Sequence, residues 1–216
     1  MSKRNKGMRA AFMALAMIVM SGCHVQPQQS QQPSEPITKE QSYMRTAVPL
    51  VRRLDPNETG TIELEFDVPA LEEDSAPAIF FGVRVKGADP TKAWDVADRL
   101  MDNGISVEVH LYQVQGADTV PVVLERIQRI DRDKTEFLAL PASGLVSGLS
   151  ITTADFSTMQ QAGLISTDFE YKELKFAILR EAPVGRYRAT IRFVQNAEVL
   201  IEENAELLIA YIAKGK

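Results

Sequence analysis

The chain has 216 residues and 45% apolar side chains, with 24 Lys and Arg against 29 Asp and Glu for a formal charge of −5. That acidic balance argues against a nucleic-acid binder, which needs a basic excess. One cysteine and two histidines exclude a disulfide framework and leave too few ligands for a zinc site.

The first predicted element is a leader. Lys3, Arg4, Lys6 and Arg9 precede eleven uninterrupted apolar residues, Ala10 to Met20, and then Ser21, Gly22 and Cys23. Charged start, apolar middle and small-residue site is the order of a secretory signal. The apolar run is too short to cross a bilayer, which takes about 20 residues. Met20-Ser21-Gly22-Cys23 resembles the lipobox of bacterial lipoproteins, with Met20 where that family prefers Leu. The resemblance implies cleavage between Gly22 and Cys23, which removes residues 1–22, and acylation of Cys23 on its sulfur and its amine. His24 (rather than Asp) after the lipidated residue implies sorting to the outer membrane, on the inner leaflet facing the periplasm. Cleavage takes four basic residues and no acidic one, moving the charge from −5 to −9. Lipid rather than charge must then hold the chain to a membrane; one acyl chain binds marginally, two or more anchor stably. With Cys23 acylated, no thiol is left for a cross-link, a metal or a nucleophile.

Residues 23–42 are rich in Gln, Pro and Ser and nearly lack apolar side chains. Such a segment cannot offset the entropy of ordering, so it reads as a tether with a reach of about 24 Å. Residues 43–216 then form one domain, long enough to bury about 70% of its unfolded surface.

That domain reads as mainly β. Ala47 to Leu54 is a first strand, which Pro49 confines to its start or to an edge. Asp55-Pro56-Asn57 suits a turn. Ile62, Leu64, Phe66 and Val68 alternate with Thr61, Glu63, Glu65 and Asp67, predicting a strand with one buried face. After an acidic loop, Ile79, Phe81, Val83 and Val85 repeat the pattern, with Phe80 making the other face partly apolar. Asp89-Pro90 starts a helix over about 90–103 that Asn103-Gly104 stops, and the spacing of Trp94, Ala97, Leu100 and Met101 lays its Trp94 face on the strands. Ile105 to Leu111 is the next strand. Val120 to Ile130 reads as another whose phase slips near Val123, as at a bulge. From Asp131 to Thr167 the periodicity fades, leaving loops, a short strand near Phe137 to Leu140 and a helical turn near Phe156 to Ala162. Leu174, Phe176 and Ile178 resume the alternation. Pro183, Gly185 and Tyr187 ahead of Ala189, Ile191 and Phe193 suit a tyrosine corner, or a plain turn with a core tyrosine. Ala205, Leu207, Ile209 and Tyr211 close the domain. The whole predicts an immunoglobulin-like antiparallel β-sandwich with one short inserted helix.

Gly60 to Phe66, Trp94-Asp-Val-Ala-Asp-Arg-Leu100, Gly185-Arg-Tyr187-Arg and Leu207 to Tyr211, in that order, resemble a proteobacterial family of exported, often lipid-anchored β domains of unknown function. The resemblance implies a sandwich with a helical insertion and names no catalytic residues. Lipoproteins of this kind are sometimes encoded beside antibacterial toxins as immunity proteins.

Few residues suggest chemistry. His24 lies on the tether, and His110, between Val109 and Leu111 and flanked by Glu108 and Tyr112, reads as a solvated strand histidine rather than a general base. No Gly-x-Ser-x-Gly elbow, Walker loop or dinucleotide glycines occur, so no nucleotide or other cofactor is expected. Asp95, Asp98 and Asp102 share one side of the predicted helix, and Glu72, Glu73 and Asp74 sit together in a loop. Both acidic sets are candidates for contact with a partner. Arg186, Arg188 and Arg192 share an outer strand face and are expected to pair with neighbouring glutamates. The sequence therefore points to a non-enzymatic, lipid-anchored module that binds a protein, an antibacterial toxin or an envelope component. The alternative is a structural or assembly lipoprotein of the envelope or of a secretion machine.

Overall fold

A computed structural model describes residues 39–55, 60–71, 77–131 and 134–213, all within one unit, Glu35–Lys216. The leader, Gly22 and Cys23, most of the tether, and the loop residues Glu72, Glu73 and Asp74 lie outside the described residues. In chain order the elements begin with α1 (Lys39–Tyr43), β1 (Leu50–Arg53), β2 (Ile62–Val68), β3 (Ile79–Gly87) and α2 (Pro90–Asp102). There follow β4 (Ser106–Gln115), β5 (Asp118–Val122), β6 (Glu125–Asp131), β7 (Lys134–Ala139), β8 (Leu145–Ser147), β9 (Ser150–Thr152) and α3 (Phe156–Gln161). The last are β10 (Glu170–Leu179), β11 (Gly185–Gln195), α4 (Ala197–Glu202) and β12 (Glu206–Tyr211). Helix α1 straddles the expected border between tether and domain.

The strands form two antiparallel sheets, and the architecture is the expected mainly β sandwich. One sheet runs β1-β12-β3-β10-β6-β7, with β9 also on β10; the other runs β2-β11-β4-β5, with β8 on β4. Burial alternates along β2 as its sequence does: Leu64, Phe66 and Val68 face in, while Glu63, Glu65 and Asp67 face water. Across the interior they meet Phe81, Val83, Leu174, Leu207 and Ile209 of the larger sheet. Phe66 joins the two sheets, edge-on to Phe81 at 6.2 Å and stacked on Tyr187 at 5.7 Å. Removing such a ring is worth about 3–5 kcal/mol.

Along β1, β12, β3 and β10 the larger sheet is buried on both faces. On its outer side Val51, Phe80, Ile178, Leu208 and Ala210 pack under Met159, Ala162 and Leu164 of α3 and the turn after it. This explains why β3 and β12 read as nearly continuous apolar runs. It also corrects the expected alternation in β10. The register shifts between Lys175 and Ala177, so Leu174 and Phe176 face the interior while Ile178 turns to the outer cluster.

Two further expectations change. The phase slip near Val123 is no bulge: the chain leaves the smaller sheet after β5 and enters the larger one at β6, with exposed Val123 and buried Leu124 at the crossing. The two strands belong to different sheets, so no single alternation runs through both. Helix α2 begins as predicted, Asp89 accepting the Lys92 amide at 2.9 Å ahead of Pro90. Its buried residues, however, are Ala93, Ala97 and Leu100, and Trp94 is 41% exposed. The small alanines let the helix sit close. At Gly87 a Cβ would fall 2.8 Å from Ala93 Cα, so a side chain there would push the helix away. Trp94, too large for that seam, lies at its margin under the Lys172 ammonium, 4.6 Å from the ring centre. The stretch after Asp131 holds β7 and α3 close to where they were expected, together with two three-residue strands, β8 and β9, too short to show a period.

The tyrosine corner is present. Buried Tyr187 donates its hydroxyl to the Pro183 carbonyl at 2.7 Å, fixing the crossing from the larger sheet to β11. Tyr211, equally buried, has a hydroxyl with no hydrogen-bond partner among the described residues. One chemical change should therefore act oppositely at the two positions. Tyr187→Phe is expected to lower stability by about 1–2 kcal/mol, since it orphans a carbonyl, whereas Tyr211→Phe should leave it unchanged or raise it by about 1 kcal/mol. Urea unfolding of the two variants checks this.

Candidate functional site

The candidate site is the β6–β7 hairpin, where apolar side chains stand in water. Strand β6 touches the larger sheet at a single register pair, Glu125 with Ile178, and beyond it the hairpin runs on with only itself to pair to among the described residues. Ile127 lies directly opposite Phe137, so both rise from one face. With Ile130 and with Val123 at the root, these residues are 36–68% exposed. The hairpin root is nonetheless well held. Arg180 forks onto the Glu125 carboxylate, with one bond at 2.9 Å, and its guanidinium lies 4.8 Å from the centre of the Phe137 ring. The result is a firmly attached strand pair with an outer edge, β7, that no other described strand covers, and a small aliphatic-aromatic patch. Nothing in the sequence between Val120 and Leu140 had set these residues apart, because an exposed and a buried isoleucine read alike.

The residues that sequence patterns did single out are spread elsewhere. Asp95, Asp98 and Asp102 are all exposed on α2, so that acidic edge exists. Arg99 rises beside it and forks onto Glu203 at 2.7 and 2.9 Å, which ties α2 to the turn after α4. Asn196 adds a bond to the Asn103 carbonyl. The arginine stripe on β11 pairs as expected: Arg188 and Arg186 with Glu65 at 2.6 and 3.1 Å, Arg192 with Glu108. The bond from Arg188 holds the Glu65 carboxyl below the usual carboxylate range.

His110 is on the outer face of the smaller sheet with its side chain 35% exposed. It lines a shallow cavity with Tyr112, Pro121, Leu140 and Pro141. Glu108 Oε1 stands 4.0 Å from its Nε2, but that carboxylate is already held by Arg192. A base oriented by a free acid is therefore not assembled there. Among the described residues no group of three or more His, Cys, Asp or Glu is placed to hold a metal, and no helix is long and apolar enough to cross a membrane.

The strongest electrostatics lie in a cluster that sequence reasoning passed over. Arg84 of β3 and Glu206 of β12 are paired at 2.7 Å on the outer face of the larger sheet, both nearly buried. Arg84 also donates to the Leu164 carbonyl at 2.6 Å and stacks 4.9 Å from the Tyr171 ring centre. Tyr43, arriving from α1, donates its hydroxyl to Glu206. Burial alone would raise the Glu206 pKa, but the charge of Arg84 and the bonds from Tyr43 and Arg84 leave it below the usual range. Burial and the bond to Glu206 push Tyr43 up to about 12. Glu173, opposite Arg84 in register, is raised by burial. One signal was available: a charge inside a strand that is apolar on both faces, as in Phe80 to Val85, needs a buried partner. The cluster fastens α1 to the sheet and is structural. No family model, no curated protein and no solved structure matches this chain.

Proposed function

We propose that the chain is a lipoprotein whose acylated Cys23 holds the sandwich at the periplasmic face of the outer membrane, where it acts as a non-enzymatic module that binds a protein. The exposed Ile127–Phe137 pair on a well-rooted hairpin is the observation that carries the binding half of this reading. Aliphatic and aromatic side chains gathered on one face, beside an uncovered strand edge, suit a protein that covers the patch and adds a strand. The acidic edge of Asp95, Asp98 and Asp102 offers the partner a second, charged contact. The anchoring half is supported by the sequence from Lys3 to Cys23. An antibacterial toxin is the partner to which the family resemblance points, and neutralising it is the sharpest form of the function.

Two measurements test the halves separately. Labelled palmitate should enter the native chain and be lost in Cys23→Ser; label retained by that variant refutes the anchor. A photo-crosslinking residue at position 137 in intact cells should capture one discrete protein, and Ile127→Asp should reduce the adduct about tenfold. If position 137 captures no more than a control at position 60, the hairpin is not the binding surface.

A further inference from the structure

The bulge in β10 opens a notch in the larger sheet. On one edge of β10, β9 pairs with Glu173, Leu174 and Lys175, and β6 pairs only at Ile178. No strand is paired with Phe176 and Ala177 on that edge among the described residues, and a cavity of about 180 Å³ occupies the gap. Arg126 and Ile127 line it from β6, Ser147 and Ser150 from the β8–β9 turn, and Lys175 and Phe176 from β10.

Lys175 is the unusual member. It is only 9% exposed, and its Nζ donates to the Ile151 carbonyl at 2.8 Å. An ammonium carries three N–H groups, and no carboxylate lies within ion-pair distance of it among the described residues. Burial pushes this amine below the ordinary lysine range. Lysines are rarely this buried without an anion to offset the loss of water. Arg126 also lines the cavity, and its guanidinium is matched among the described residues only by a long 3.5 Å contact to Gln128 Oε1. Two cations thus line one small notch of an otherwise acidic chain, each with donors to spare.

We propose that this notch binds a small oxyanion, a carboxylate or phosphate group on a small molecule, held by the Lys175 ammonium and the Arg126 guanidinium with the Ser147 hydroxyl as a further donor. The site is independent of the protein-binding reading, because its donors point to a small anion rather than to an apolar surface. Its volume is below the roughly 300 Å³ at which sites for drug-sized ligands begin, which selects an anion of a few heavy atoms. The mixture of cationic and apolar walls favours a carboxylate with a short aliphatic tail, and the charge pair serves phosphate equally.

The test is thermal unfolding of the full chain in detergent, with acetate, butyrate or inorganic phosphate added against chloride at matched ionic strength. A ligand that binds only the folded state raises Tm in a saturable way. The expected result is such a rise with at least one of the three, and the dissociation constant increasing about tenfold or more in both Lys175→Met and Arg126→Gln. A rise with acetate or butyrate alone supports a carboxylate site, and a rise with phosphate alone a phosphate site. In anion-free buffer Lys175→Met should unfold at nearly the same temperature, since the relief of a buried charge with no counter-ion is set against the lost bond to the Ile151 carbonyl. Should that variant fail to fold, Arg126→Gln, on a partly buried side chain, carries the test. No rise above chloride with any of the three, or a rise of unchanged affinity in Arg126→Gln, overturns the proposal.

Discussion

Glu206→Gln is expected to lower stability at pH 7 by about 3 kcal/mol, the low end for removing one partner from a buried ion pair. The loss is not that of one hydrogen bond. Arg84 would remain charged under Leu164 and Tyr171 without its counter-ion, and Tyr43 would give up a bond to a charged acceptor. Glu173 opposite Arg84 offsets part of this, which is why the low end applies. The effect has a defined pH dependence. The folded-state pKa of Glu206 is depressed, so its contribution is complete above the ordinary glutamate value of about 4.3 and is lost as pH falls through the folded value. Wild type and variant should therefore differ fully at pH 7 and converge in acid below about pH 4. Glu173, whose pKa is raised, contributes with the opposite sign above the ordinary value, but it is common to both proteins and largely cancels in the difference. Urea unfolding across that range decides the matter; a constant gap from pH 7 into strong acid would show that charge is not what Glu206 provides.

Gly82→Ala should be about as costly, roughly 3 kcal/mol or outright failure to fold. Gly82 sits mid-strand in β3 between β10 and β12, opposite Lys175. A Cβ there would lie 3.0 Å from the Leu174 carbonyl carbon and from Lys175 Cα, and closer still to Leu174 O. These are backbone atoms in a sheet buried on both faces, so they cannot move without breaking the pairing. The bulged part of β10 therefore leans into the space that a missing side chain leaves, and the notch beside Lys175 exists on the same terms. Gly60→Ala is the control. A Cβ added at Gly60 would meet no described atom within 4 Å, and that change should stay within about 0.5 kcal/mol. Comparable midpoints for the two variants would mean that β10 can retreat from β3.

Strand alternation was legible wherever a strand meets water on one face and the interior on the other. In β2, Glu63, Glu65 and Asp67 mark the wet side, so the phase is unambiguous. The start of α2 was legible for a similarly local reason, because Asp89 and Pro90 act on the first turn and on nothing distant. The spacing of Pro183, Gly185 and Tyr187 narrowed that turn to a tyrosine corner or a plain turn with a core tyrosine, and the bond from the Tyr187 hydroxyl to the Pro183 carbonyl decides for the corner. Legibility failed where the deciding contact is far along the chain. Trp94 has the right spacing to be buried, but Gly87 and the alanines bring the helix too close for it. Ile127 and Phe137 are apolar residues in strands like many others, and only the departure of β6 from the sheet leaves them in water.

By itself the sequence determined the class of the fold, the capped helix between strands and the expectation of a lipid anchor at Cys23. Each rests on neighbours within a few positions, where spacing and chemistry act directly. Tertiary structure alone decided that Arg84 meets Glu206 across 122 positions, that β5 and β6 belong to different sheets, and that Lys175 is sealed beside a notch. The cause is that burial and ion pairing are properties of what covers a side chain. In an antiparallel sandwich the cover comes from strands remote along the chain, brought together by a register that no local pattern encodes.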